Sequence, residues 1–352
     1  MFISLQHISF RSAVKPLSVL LLLTSLFAAG AQPLSAEDGQ RIICWGRGNS
    51  LVLDFLYMFP EAPAGVTAVG SGTQSGGSIL EILDPHYADK AVLEMELQPE
   101  TAAALAPTAV VLKSYMRKAA KSLERLGLPV LFLDMESPEA FKRDLAAAGE
   151  LFGNRERADE LSRYFDSRLT EIKELSPSAG SAEKPEVLFV YYSTKGGTLS
   201  LKVPPAGWIQ TKIVEWAGGR PVWTAETGGT SWTTVSFEQI ARWNPEKVFV
   251  VNYHGDSQSA AEELAADPLW RVLRAGKNGG IHAVPADFMS WDQSGPRWIL
   301  GLSWAAHVLQ PARRPLEAHK AAVYDFFSFL YGMDAETVDA EIIPRLRGDH
   351  RL

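Results

Sequence analysis

The 352-residue chain has a single cysteine, Cys44, so no disulfide can form within it. Cys44 sits in the apolar stretch Ile42-Ile43-Cys44-Trp45, well past the only leader-like segment, and reads as a buried strand residue rather than a lipid attachment point. No run of Lys and Arg forms a basic block, and the formal charge is -7, which argues against a nucleic-acid partner. Beyond the N-terminus there is no stretch of about 20 consecutive apolar residues, so no later membrane span is expected. Phosphate-loop chemistry is also missing: the cluster from Gly70 to Ser78 lacks the Gly-Lys-Ser/Thr ending and dinucleotide spacing, and reads as a cleft-rim loop. His86, His254, His282 and His307 are scattered without Cys or carboxylate partners at ligand spacing, so neither a bare-metal site nor a resident cofactor is expected. No serine-hydrolase motif or paired carboxylates appear. A hydrolase built on His254 with Asp256, or on Asp292, is the weakest of the functional readings.

What is present begins with Arg11 and Lys15 before an apolar run from Leu17 to Ala29, closing on Ala29-Gly30-Ala31. That is the pattern of a signal peptide, with cleavage expected after Ala31. An uncleaved anchor is the competing reading. Loss of Arg11 and Lys15 would take the charge to about -9. The remaining residues exceed one ordinary core, which predicts two domains.

From residue 41, short apolar runs alternate with amphipathic windows, as parallel strands covered by helices require. Strands are expected at 41–45, 66–69, 109–112 and 130–133, with a helix over 114–127. The segment 154–176 is the longest helical pattern, capped by Asn154 and carrying Leu161, Phe165, Leu169 and Ile172 on one face. A second unit follows, with strands at 187–191, 247–251 and 281–284 and helices at 209–218, 237–242 and 296–309; residues 315–332 add a further helix. The corresponding divisions are a leader over 1–31, a first lobe over 40–152, a linking helix over 153–176, a second lobe over 185–310 and a helical tail over 311–352. The two units echo each other. Each has a helix with an early glutamate, Glu100 or Glu238, then a proline, then a buried strand.

Loops after the strands are rich in aromatic and cationic residues, and ligands of open α/β sheets bind there. The first unit offers Trp45, Arg47, Tyr115 and Arg117, and the second Tyr191, Tyr192, Lys195, Ser231 and Trp232. Trp291 and Arg297 flank Ser294-Gly295-Pro296, a helix start. For Trp291, pocket and core both fit. Arg297 would meet either a ligand or Asp292, whereas Trp298 and Trp304 read as core. His86 and Tyr87 are candidates for touching a metal already held in a chelate. Guanidinium forks beside aromatic faces suit an anionic ligand with flat or apolar surface.

In order and spacing, Trp208 to Val222, Trp232 to Val251 and Asp287 to Leu302 resemble the solute-binding components of ABC importers for iron chelates, haem, cobalamin and, in some members, oxyanions. The resemblance spans residues 40 to 310. It implies two α/β lobes with mainly parallel sheets, joined by one long α-helix, a ligand cleft between the lobes and only a small closure. It also implies a free monomer in the periplasm, partnered by the importer's permease in the inner membrane, and no enzymatic role. By the same resemblance Tyr115 and Trp232 match ligand-holding positions, and Glu100 and Glu238 match glutamates that meet permease arginines. The expected cargo is a metal chelate such as a ferric siderophore. Molybdate or tungstate, held by donors such as Gly76, Gly77, Ser78 and Ser231, is the alternative.

Overall fold

The computed structural model describes residues 39–71, 78–96, 98–175 and 184–350. The leader expected over 1–31, Gly76 and Gly77, and most of the loop after the long helix lie outside the described residues.

Five strands form the first sheet: β1 (Ile42–Cys44), β2 (Val66–Gly70), β3 (Ala91–Leu93), β4 (Ala109–Lys113) and β5 (Val130–Leu133), in the order β3-β2-β1-β4-β5. Every pairing is parallel, and the central β1 is wholly buried. That burial on both faces is why β1 and residues 109–112 of β4 read as unbroken apolar runs. The second sheet holds β6 (Glu186–Ser193), β7 (Ser200–Val203), β8 (Arg220–Pro221), β9 (Thr233–Val235), β10 (Lys247–Val251) and β11 (Ile281–Ala283). Its order is β11-β10-β6-β7-β9, with β8 also pairing with β6. β6, β10 and β11 run parallel, whereas β7 and β9 are antiparallel additions.

The expected helix over 114–127 is not continuous. A single turn at Ser114–Met116 precedes a short helix at Lys121–Arg125. Only Ala120 and Leu123 of this stretch are buried, too few to anchor a helical stripe.

The linking helix runs Arg155–Leu175, 21 residues and about 31 Å long at 1.5 Å per residue. Asn154 accepts from the Arg157 N–H at 3.0 Å. Gly153 in the left-handed region (φ 69°) ends the preceding helix Pro138–Phe152. The two helices pack so closely that a Cβ on Gly149 would stand 2.7 Å from that of Ala158.

Two later helices complete the frame. Trp298 of the helix Trp298–Leu309 meets Phe165 of the linking helix at 5.8 Å between centroids, and Phe165 meets Phe141 at 4.6 Å. The C-terminal helix Leu316–Tyr331 lies along the linking helix: Tyr164 stacks on Phe329 at 4.5 Å, and Arg157 donates to the carbonyls of Phe329 (2.7 Å) and Leu330 (3.1 Å). Thus the linking helix is braced by the end of the chain. Among the described residues no helix is long and apolar enough to cross a membrane.

Candidate functional site

The first lobe's wall follows from two glycines. After β1, Gly46 (φ 80°) and Gly48 (φ 76°) turn the chain sharply into the helix Asn49–Leu56, and Asn49 donates to the Gly70 carbonyl at the end of β2 at 2.6 Å. A Cβ at Gly48 would stand 2.4 Å from the Tyr115 hydroxyl, so glycine is what lets Tyr115 lie across the loop and donate to the Arg47 carbonyl at 2.9 Å. Beside this turn a recess of about 260 Å³ is walled by Asn49, Ser50, Ser78 and Tyr87, with Phe288 and Met289 on its far side.

The second lobe supplies an aromatic cluster beyond the ends of β6 and β10. Tyr191 stands 5.0 Å from Tyr253 and 5.4 Å from Trp232, and Trp232 stands 5.8 Å from Trp208 and 6.0 Å from Tyr253. Behind it lies Asp292, 1% exposed, which accepts from the Tyr253 and Ser290 hydroxyls and from Gln210 at 3.3 Å. Burial pushes the Asp292 carboxyl up, and burial followed by the Asp292 charge pushes the Tyr253 phenol far up. Tyr253 therefore keeps its proton near neutrality and acts as a donor, not as a tyrosinate.

Tyr253, His254 and Arg347 wall a second recess of about 290 Å³, and Phe288 and Met289 again form part of it. One turn of chain is thus a wedge between the two recesses. The wedge is fixed by Asp287, which accepts from the Met289 N–H at 3.0 Å and from Arg297 at 2.6 Å. Lys113 at the end of β4 bonds the Asp134 carbonyl and Glu136 (3.1 Å) within the first lobe and the Ser294 hydroxyl (3.3 Å) of the second.

The structure brings together some of the residues expected from sequence and disperses others. Tyr191 and Trp232 meet in the cluster; Lys195 lines a small side recess with Asn252 and His254. Arg47 and Tyr115 stand exposed on the first lobe's loops. Arg117 is exposed but lies over the Phe132 ring at 4.2 Å, and Ser231 is exposed beside Trp232 without lining either recess.

Four expectations are corrected. Trp45 is 1% exposed and donates its indole N–H to the Glu94 carbonyl at 2.6 Å, a packing role within the first lobe. Tyr192, adjacent to Tyr191 on a strand, points to the opposite face and bonds Glu263. Trp291 is fully buried, with its ring 5.9 Å from that of His319. Arg297, 1% exposed, pairs with Asp54 (2.5 Å) and Asp287 (2.6 Å) rather than with Asp292 or the cleft. Trp298 and Trp304 are core, Tyr87 lines the first recess, and His86 is exposed beside Asp89 at 3.3 Å. Glu100 and Glu238 are exposed in the first turns of their helices.

Sequence reasoning passed over Tyr253, Asn252, Phe288, Met289 and Arg347. Tyr253 and Asn252 directly follow a recognised strand and were within reach of the strand-end rule. Nothing local marks Arg347, whose position depends on how the tail folds back.

A family model described as periplasmic binding protein matches residues 82–288. The petrobactin-binding protein YclQ of Bacillus subtilis is 23% identical over 218 residues, covering 60% of this chain and 65%, just under two thirds, of that protein's length. Among solved structures, a periplasmic solute binding protein from Veillonella parvula superposes with a TM-score of 0.69 at 18% identity, covering 86% of this chain and 91% of its own. The molybdate periplasmic binding protein MolA of Haemophilus influenzae, bound to molybdate, also gives 0.69, at 17% identity over 84% of this chain and 94% of its own.

Proposed function

Since the chain belongs to the periplasmic binding protein family, we propose that it captures a metal chelate, a ferric siderophore or related iron complex, and delivers it to the permease of an ABC importer. The observation that carries this reading is the paired recess. Strand ends of both sheets open onto one wedge, Phe288–Met289, flanked by aromatic faces and by phenols that keep their protons. Such a surface offers a preassembled chelate apolar contact, while Tyr253, whose proton is committed to Asp292, gives a bare ferric ion no tyrosinate. The likeness to the petrobactin-binding relative supports an iron-chelate cargo. Capture rather than turnover is the role, and the protein acts in the periplasm as a monomer after loss of its leader.

An oxyanion is the second reading, favoured by the superposition on MolA. Against it, Ser231 stands apart from Ser78, and each recess is roomier than a tetrahedral oxyanion fills. For docking, we assign Glu100 and Glu238, one exposed carboxylate on each lobe, to contacts with the permease. Charge pairing there would orient the encounter, and unchanged uptake by the Glu100→Ala, Glu238→Ala double variant would refute this assignment.

Titration of the purified protein with ferric citrate, a ferric catecholate, haem, cobalamin, molybdate and tungstate tests the cargo. Trp232 and Trp208 flank the cluster, so saturable quenching of tryptophan fluorescence by an iron chelate is expected. A calorimetric response to molybdate or tungstate alone would replace the chelate reading with the oxyanion one.

A further inference from the structure

We propose that Arg347, delivered by the C-terminal tail, is a ligand-gripping residue of the second recess, selecting cargo with anionic oxygens on its periphery. This rests on the cleft reading above and narrows the cargo's chemical class.

The tail is held in place by several independent contacts. Arg347 exchanges backbone hydrogen bonds with Ala286 in both directions, at 2.8 and 3.1 Å. Two residues on, the Asp349 N–H bonds the Ala283 carbonyl at 3.0 Å. The Asp349 carbonyl takes the Trp304 indole N–H at 2.7 Å, and its carboxylate stands 2.6 Å from His282 Nδ1. Between them Gly348 adopts φ 79°, and a Cβ there would stand 2.6 Å from the Val284 carbonyl. Only glycine lets the tail run this close to the strand end. Backbone contacts therefore fix where Arg347 starts, while its side chain is exposed at the recess wall.

Its guanidinium has five N–H donors, of which one meets the Asp287 carbonyl at 3.2 Å. Among the described residues no carboxylate pairs with it. Asp256, a carboxylate on the same wall, is engaged in capping its own helix through Ser259. The remaining fork is thus free for a carboxylate or catecholate on the cargo, with the His254 imidazole on the same wall.

The test compares wild type, Arg347→Gln and Arg347→Lys in the full chain, using ferric citrate, a ferric catecholate and haem as probes. For the probe that quenches wild-type fluorescence, Arg347→Gln should weaken binding at least about tenfold and flatten its dependence on salt. Arg347→Lys should recover part of the loss, since it restores the charge but not the fork. Unfolding midpoints of all three should coincide, because the tail is pinned by backbone groups and Asp349. Wild-type affinity and salt dependence in Arg347→Gln would overturn the assignment while leaving the cleft intact. Failure of the wild type to bind any chelate would instead overturn the cleft reading and this inference with it.

Discussion

Replacing Arg297 with methionine should cost the fold heavily, and the amount can be worked from its partners. Arg297, Asp54 and Asp287 are each 1% exposed, and the guanidinium is the cation between the two carboxylates. Burial already raises the Asp54 pKa, and the Arg297 charge opposes that rise. Removing one partner of a buried pair costs about 3–5 kcal/mol. Here Tyr331 still donates to Asp54 at 2.8 Å and the Met289 N–H to Asp287, so the lower end, about 3 kcal/mol, is expected. For a body of roughly 310 residues the unfolding entropy is about 0.65 kcal/mol/K, which converts that loss to a midpoint drop of about 5 °C. Urea titration and calorimetry at pH 7 measure both. The orphaned Asp54 binds a proton more readily folded than unfolded, so the deficit should shrink as pH falls from about 7 to 5. A loss below about 1 kcal/mol, or a deficit that grows on acidification, would refute the reasoning.

Two further outcomes follow from buried positions. His319 is fully buried, and burial, followed by the charges of His307 and Arg314, lowers its pKa to about 3. The unfolded chain then binds the extra proton, so this contribution is intact above about pH 6.5 and is lost as pH falls toward 3, reaching about 2 kcal/mol at pH 5. Urea unfolding of His319→Gln should show a correspondingly flatter pH profile, and an identical profile would rule the residue out. Gly301→Ala places a Cβ 2.2 Å from the Trp291 carbonyl, a backbone clash expected to cost about 3 kcal/mol or more, whereas Gly207→Ala meets nothing within 4 Å. Equal midpoints for the two variants would contradict the close approach.

The central strands and the linking helix were legible because their burial writes itself into local pattern: β1 is apolar throughout, β4, β6 and β10 carry polar residues only at their ends, and the long helix repeats its buried residues every three or four positions. The edge strand β3 and the short β7, β8 and β9 escaped, since their residues are partly exposed and β9 reads Thr-Thr-Val. The site was legible only at a recognised strand end, as with Tyr191; Tyr253, two residues past β10, was within reach of the same rule and was missed. Strand ends say nothing of facing, which is why sequence alone does not separate Trp45 and Tyr192 from residues that face the cleft. Arg297 failed for another reason: cationic loops suggest ligands, but its partner Asp54 lies 243 residues upstream.

The final helix and tail give the molecule an order of assembly. Asp54, near the start, is hydrogen-bonded by Tyr331, 277 positions later, and the second recess takes Arg347 from the last few residues. Contacts of such separation form slowly and late. Removing residues 332–350 would therefore leave every strand segment in the sequence while stripping Arg347 and Gly348 from the wall of the second recess.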